Sequence, residues 1–183
     1  MDKGNIIVIS GPSGCGKGTV IGELLKKDSS FQLSVSMTTR LPRPGEVDGR
    51  DYYFVSKEVF EQRIADGDLL EYTNYNGNFY GTPKKELSTR QAAGINIILD
   101  IEVEGADNIR KANLENVVTI FLAPPSFEEL RRRLIGRGTE PIEVIENRLA
   151  RAKIELAEQN QYDYVIINDV LEKAVDDIYK LVK

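Results

Sequence analysis

Two hydrophobic rhythms alternate along the chain. Ile6-Ile7-Val8-Ile9 is an unbroken apolar run ending in a glycine-rich turn, which predicts a strand buried on both faces of a parallel sheet. Val20, Ile21, Leu24 and Leu25 then recur at helical spacing. Phe31, Leu33, Val35 and Met37 alternate with polar residues and predict one strand over 31–37. Residues 38–51, TTRLPRPGEVDGRD, are too polar and too rich in Pro and Gly for core and read as a loop. Tyr52 to Val55 reads as a short strand, and Ser56 as the cap of a helix carrying Val59, Phe60 and Ile64, stopped by Gly67. Asn76-Gly77 between strand-like arms predicts a hairpin over 69–82, and Thr82-Pro83 opens a helix that ends near Gly94.

INIILDI (95–101), VVTIFLA (117–123) and YDYVIIND (162–169) supply three more core strands. Ser126 and Glu129 form a capping box for a helix over 127–136, and a long helical stretch covers about 140–160. The last helix carries Leu171, Ala174, Val175, Ile178 and Leu181. Buried strands alternating with helices argue for an α/β fold, a three-layer arrangement around a parallel five-stranded core sheet. Residues 38–90 break that rhythm and read as an inserted small lobe with mixed or antiparallel strands. The arginine-rich stretch 126–160 reads as a helical flap. Without repeats, low-complexity tracts or linkers, the 183 residues read as a single domain, with core 1–37, 91–125 and 161–183.

Composition narrows the chemistry. A net charge of -5 argues against a general nucleic-acid binder, so any anion is gripped locally by a few placed cations. The chain has no histidine, which removes Ser-His and Cys-His nucleophilic sites and His-ligated zinc. Its one cysteine, Cys15, excludes an internal disulfide and fits a reducing compartment. The first apolar run is too short for a signal peptide, and no stretch approaches the roughly 18 apolar residues of a membrane span. The expectation is a cytoplasmic protein with neither membrane nor nucleic-acid partners.

The stretch Gly11-Pro12-Ser13-Gly14-Cys15-Gly16-Lys17-Gly18-Thr19 carries the clearest chemistry. Gly11-x4-Gly16-Lys17 follows a strand and precedes a helix, the context of a nucleotide phosphate loop. Its glycines let successive amides turn inward, the helix N-terminus adds partial positive charge, and Lys17 reaches the β- and γ-phosphates. The usual hydroxyl directly after the lysine is absent; Gly18 stands there, so either Thr19 or water serves magnesium. Cys15, beside a helix N-terminus that favours thiolate, reads as a spacer whose modification would block the loop.

GPSGCGKGT, SVSMTTRLPRPGEVDGRDYYFVS, GNFYGTP, RGTEPIEVIENRL and YDYVIIND, in that order, resemble guanylate kinase across nearly the whole chain. The resemblance implies a P-loop NTPase-type core, a GMP-binding lobe at about 38–90 and a lid at about 126–160. It implies transfer of the γ-phosphoryl of ATP to GMP, with Mg2+ accompanying ATP and dGMP as a second candidate acceptor. It makes Gly18 a variation found among nucleoside monophosphate kinases.

On that resemblance Glu71 reads guanine, with Ser36 and Thr82 as partner hydroxyls. A carboxylate accepts the two N–H groups on the guanine edge, and a hydroxyl donates to its carbonyl. Arg40, Arg43, Tyr52 and Tyr80 hold the acceptor phosphate. Lys17, Arg43, Arg137 and Arg148 are the catalytic cations. Asp100 serves the metal shell through water and, with Glu102, the GMP lobe; Asn168 lies near adenine. Taken without the resemblance, Glu71 is a strand glutamate, Arg40 and Arg43 are solvated loop charges, and Asn168 is an Asx-capped turn. Arg131, Arg132, Arg133 and Arg151 read as solvated or paired with glutamates, and Glu104 as capping a helix or serving the site. Two other functions are weighed: a kinase for another monophosphate, and a protein-binding module on the same fold.

Overall fold

The computed structural model describes residues 3–75, 77–136 and 141–183, with the backbone alone at Glu86. β1 (Ile6–Ser10) runs into the glycine loop, which opens α1 (Lys17–Lys27). β2 (Phe31–Leu33), β3 (Met37–Thr38) and β4 (Tyr53–Phe54) precede α2 (Lys57–Ala65). β5 (Leu69–Tyr75) and β6 (Asn78–Pro83) form a hairpin, followed by α3 (Lys84–Ala92), β7 (Asn96–Asp100), α4 (Val103–Lys111) and β8 (Val117–Ala123). Then come α5 (Phe127–Gly136), α6 (Ile142–Ala157), a 3-10 turn at Gln159–Gln161, β9 (Tyr164–Ile167) and α7 (Leu171–Val182).

The core sheet is parallel throughout, in the order β2-β7-β1-β8-β9. β1 lies at its centre, and its side chains alternate between two apolar layers. Ile7 and Ile9 pack with Val20, Ile21 and Leu24 of α1 and with Ala174, Val175 and Ile178 of α7. Ile6 and Val8 pack on the other face with Leu87, Ala106, Ile109 and Phe121. Each of these large side chains contributes about 1.5–3 kcal/mol by leaving water, which is why the central strand needs no polar face.

A second, mixed sheet has the order β4-β3-β6-β5. Phe60, from α2, joins Met37 and Leu69 as its own small core. The hairpin arms pair antiparallel as expected, from Tyr75 opposite Asn78 back to Leu69 opposite Pro83, with a bulge between Leu69 and Glu71. Asn76 of the expected turn lies outside the described residues. A fourth apolar cluster, with Leu130, Leu134, Ile145 and Leu149, clamps α5 to α6.

Three expectations need correction. Residues 31–37 are not one strand: β2 ends at Leu33, and β3 begins at Met37 in the other sheet, paired with Gly81 and Tyr53. Period-two alternation is the same for one strand as for two that serve different sheets, and here Leu33 is exposed. β9 takes its expected place as the fifth strand of the core sheet but is not buried: it lies at an outer edge, where Tyr164, Val165 and Ile167 are exposed. An apolar run does not encode lateral position. The capping box is half formed: Ser126 Oγ accepts from the Glu129 amide at 3.1 Å, whereas the Glu129 carboxylate binds Arg132 and Arg133. Two guanidinium groups outcompete one backbone amide for it.

Candidate active site

The parallel sheet dictates where a ligand fits. β1 is flanked by β7 and β8, and the chain leaves their carboxyl ends in opposite directions, so a crevice opens there. The register sets Ile9 beside Asp100, which brings the end of the acidic strand next to the glycine loop. A cleft of about 910 Å³ lies at this point, between the loop, the second sheet and α6.

The loop forms one wall. Gly16 caps α1 in the left-handed region (φ 95), with no side-chain cap. A Cβ on Gly16 would sit 2.5 Å from Asn168 Nδ2, so glycine is required both by conformation and by space. The amides of the first turn of α1 therefore stay available to an anion. Lys17 Nζ donates to the Gly11 carbonyl at 2.8 Å, which folds the ammonium over the cradle. Burial alone would lower its pKa; Glu102, Asp100 and Glu155 outweigh burial and hold the ammonium above the usual lysine range. Lys17 is thus a fixed cation.

Pro12, Ser13, Gly14, Gly18 and Thr19 also face the cleft. Cys15 does not: its side chain is fully buried in the core, its amide donates to the Pro12 carbonyl at 3.1 Å, and its carbonyl accepts from Asn168 Nδ2 at 2.8 Å. Burial pushes the Cys15 thiol up. The expectation of a helix-favoured thiolate is therefore wrong here, because desolvation outweighs the helix N-terminus and Lys17. Gly11 lies beneath the cradle, where a Cβ would meet the Leu122 carbonyl at 2.2 Å.

Asp100 and Glu102 line the floor. Asp100 has an open face toward the cleft but sits deep in it; desolvation raises its carboxyl pKa, Lys17 lowers it and Glu102 raises it further. Asp100 and Thr19 offer the hard oxygen donors that suit magnesium. Among the described residues no group of three or more Asp, Glu, Cys or His side chains forms a metal cage.

The opposite wall belongs to the second sheet. Glu71 on β5 pairs in register with Thr82 on β6, so both side chains share a face, and Thr82 Oγ1 donates to Glu71 Oε1 at 2.6 Å. Both are buried. Desolvation raises the Glu71 carboxyl to about 7, against the lowering effect of Thr82 and with a push from Glu104. Ser36, in the link between the two sheets, lines the same cleft, as do Gly81, Thr73 and Gly105. This notch offers carboxylate oxygens and hydroxyls in a desolvated place, a match for a ligand edge with adjacent N–H donors.

Between notch and loop stand Arg40, Arg43, Tyr52 and Tyr80. Tyr52 and Tyr80 meet edge to face at 6.1 Å, and Arg40 lies over the Tyr52 ring at 5.3 Å. Glu46 grips the Arg40 fork through both oxygens at 2.9 and 2.8 Å, fixing the guanidinium at the edge of the cleft. From α6, Arg148 reaches the loop, its Nη1 donating to Ser13 Oγ at 3.4 Å. Arg137 lies outside the described residues.

Several neighbours of the site escaped sequence reasoning. Arg151 pairs with Glu155 at 2.8 Å, as helical spacing predicts, but it also lies over the Tyr75 ring at 4.3 Å, bridging α6 to the hairpin tip. Arg133 pairs with Glu129 and donates to the Asn168 carbonyl at 3.0 Å, lining a side pocket of about 450 Å³ beside the loop with Asn168, Asp169 and Leu171. Arg131 pairs with Glu146 across the α5–α6 interface rather than within its own helix. An i,i+4 rule has no means of finding such contacts between elements.

Comparison with known proteins gives a consistent result. A family model described as guanylate kinase matches residues 3–183. Guanylate kinase of Listeria innocua is 54% identical over the whole chain, which spans 89% of that relative's length. The enzyme of Lactococcus lactis is 47% identical, again over 100% of this chain and 88% of its own. The crystal structure of guanylate kinase from Anaplasma phagocytophilum superposes with a TM-score of 0.81 at 38% identity, covering 99% of this chain and 85% of that one.

Proposed function

The chain belongs to the guanylate kinase family, an ATP:GMP phosphotransferase that yields ADP and GDP, and we propose how its cleft divides that work. The observation that carries the division is the contrast between the two walls. One offers backbone amides and a fixed lysine; the other offers a buried carboxylate paired with a hydroxyl.

ATP lays its phosphates in the Gly11–Thr19 cradle, with Lys17 on the β- and γ-phosphates. The side pocket of Arg133, Asn168 and Leu171 takes adenine, and Asn168 supports the loop through the Cys15 carbonyl. GMP enters the other wall. Glu71 accepts the ring N–H and the amino group of guanine, while Ser36 and Thr82 complete the base notch. Adenine presents the reverse pattern and would leave Glu71 unpaired. Arg40, Arg43, Tyr52 and Tyr80 fix the GMP phosphate in line with the γ-phosphoryl.

Phosphoryl transfer asks little covalent chemistry of the protein; it asks for alignment and neutralised charge. Lys17, Arg43, Arg148 and Arg137 supply that charge from both sides. Thr19 and, through water, Asp100 are the oxygen donors that would hold Mg2+. Bound with ATP there, Mg2+ would supply charge neutralisation to the phosphates undergoing transfer. Glu102 holds Lys17 charged and borders the GMP side.

We further propose that the second sheet with α2 acts as the acceptor lobe and α5–α6 as the lid. Closing the two excludes water, so that ATP is not simply hydrolysed. No helix among the described residues is long and apolar enough to cross a membrane. A coupled ADP-release assay across GMP, dGMP, AMP and UMP tests the assignment. GMP should dominate, and a better rate with AMP or UMP would overturn the guanine notch.

A further inference from the structure

Gly105 sits in the first turn of α4, buried, with ordinary helical backbone. Nothing in its conformation requires glycine, and glycine is among the poorer residues for a helix. Its neighbour Ala106 is fully buried and carries a Cβ without difficulty. The glycines of α1 at 18 and 22 have nothing within 4 Å of a built Cβ. Gly105 differs: a Cβ there would stand 2.8 Å from Glu71 Oε2 and 3.4 Å from Glu71 Cδ. The third neighbour, Ile101 Cβ at 3.5 Å, is in ordinary contact. Of these neighbours, only the Glu71 carboxylate would have to shift to admit a side chain at 105.

Glu71 has little freedom to yield. It is only 6% exposed, and its other oxygen is tied to Thr82 at 2.6 Å. A methyl group on α4 would therefore push or rotate the carboxylate within the notch. We infer that Gly105 is a specificity-determining positioning residue: its missing side chain gives Glu71 the one seat from which both oxygens address the acceptor base. The inference rests on the reading of Glu71 as the guanine acceptor.

The test is a two-residue cycle on the full chain: Gly105→Ala, Glu71→Ala and the double variant, with GMP, IMP and ATP as variable substrates. IMP lacks the amino group that the second carboxylate oxygen would accept. Gly105→Ala should raise the KM for GMP by roughly tenfold and cut the GMP preference over IMP by a similar factor. The KM for ATP should stay within about twofold, since the donor wall is untouched by the change. In the Glu71→Ala background, where space has been made, Gly105→Ala should add almost nothing. An unchanged GMP:IMP preference in Gly105→Ala, or equal losses in both backgrounds, overturns the inference while leaving Glu71's role standing. An unchanged preference in Glu71→Ala overturns that role and the inference with it.

Discussion

The two walls of the cleft solve the same problem, holding one nucleotide, with opposite materials. The donor wall reads phosphate with backbone: nine consecutive residues, an uncapped helix start and one lysine whose charge is fixed. The acceptor wall reads a base with side chains from separate elements: Glu71 on β5, Thr82 on β6, Ser36 in the linker, with α4 behind them. Phosphate is the same in every nucleotide, so a rigid backbone nest suffices. A base is told apart only by where its donors and acceptors lie, so the reader must be a desolvated group in an exact seat. The donor wall is built for strength and the acceptor wall for discrimination.

Substitutions that sharpen this contrast have unequal effects. Lys17→Ala removes the cation folded over the cradle and should lower kcat by about 10²–10³-fold, with the fold intact by circular dichroism. Turnover near normal would remove Lys17 from the mechanism. Glu71→Gln comes next. It replaces an acceptor oxygen by a donor amide facing the guanine N–H groups, and should raise the KM for GMP by about 100-fold with ATP nearly untouched. Equal losses for the two nucleotides would make Glu71 structural and erase the difference between the walls.

The same contrast explains what was legible in the sequence. The donor wall is contiguous, so strand, glycine loop and helix could all be read from Ile6 to Leu25. The direction of Cys15 could not, because the loop's path, not its composition, turns that side chain into the core. The acceptor wall depends on register. Glu71 meets Thr82 only because a bulge follows Leu69, and a bulge leaves no mark in hydrophobic alternation. Gly105 meets Glu71 only once α4 packs on the hairpin. The resemblance to a family named Glu71 and Thr82; it did not supply the contact that seats them. Likewise, the split of 31–37 and the edge position of β9 are facts about neighbours, which one strand's own pattern does not contain.

The raised carboxyl of Glu71 gives a smaller, pH-dependent effect of definite sign. Guanine's two N–H groups require the ionised form. With a pKa of about 7 in the empty notch, the ionised fraction rises about fourfold between pH 6.5 and 8.5. The KM for GMP should fall by that factor over this range, where the nucleotide phosphate (second pKa of about 6) is already mostly ionised. Stability runs the other way. The folded pKa lies above the ordinary value of 4.5, so the folded state holds the extra proton between these pH values. That contribution is complete below about 4.5 and is lost as pH rises through about 7. At 1.36 kcal/mol per unit it amounts to about 3 kcal/mol at most. Glu71→Gln should therefore raise Tm at pH 8 by several degrees, of the order of 5 °C, and change it little at pH 5. An equal Tm shift at both values would mean that the notch is not strained by charge.

The smallest expected effect concerns the bridge from α6 to the acceptor wall. Arg151, held by Glu155, lies over the ring of Tyr75 at the hairpin tip. An exposed cation–π contact contributes about 0.5–1 kcal/mol. Tyr75→Ala should cost about that much in stability and change the KM for GMP by roughly twofold. Tyr75→Phe keeps the ring and should behave as the parent. If the phenylalanine variant loses as much as the alanine one, the hydroxyl rather than the ring joins α6 to the acceptor wall. α6 and the acceptor wall would then be coupled by a directional bond rather than by a face that allows sliding.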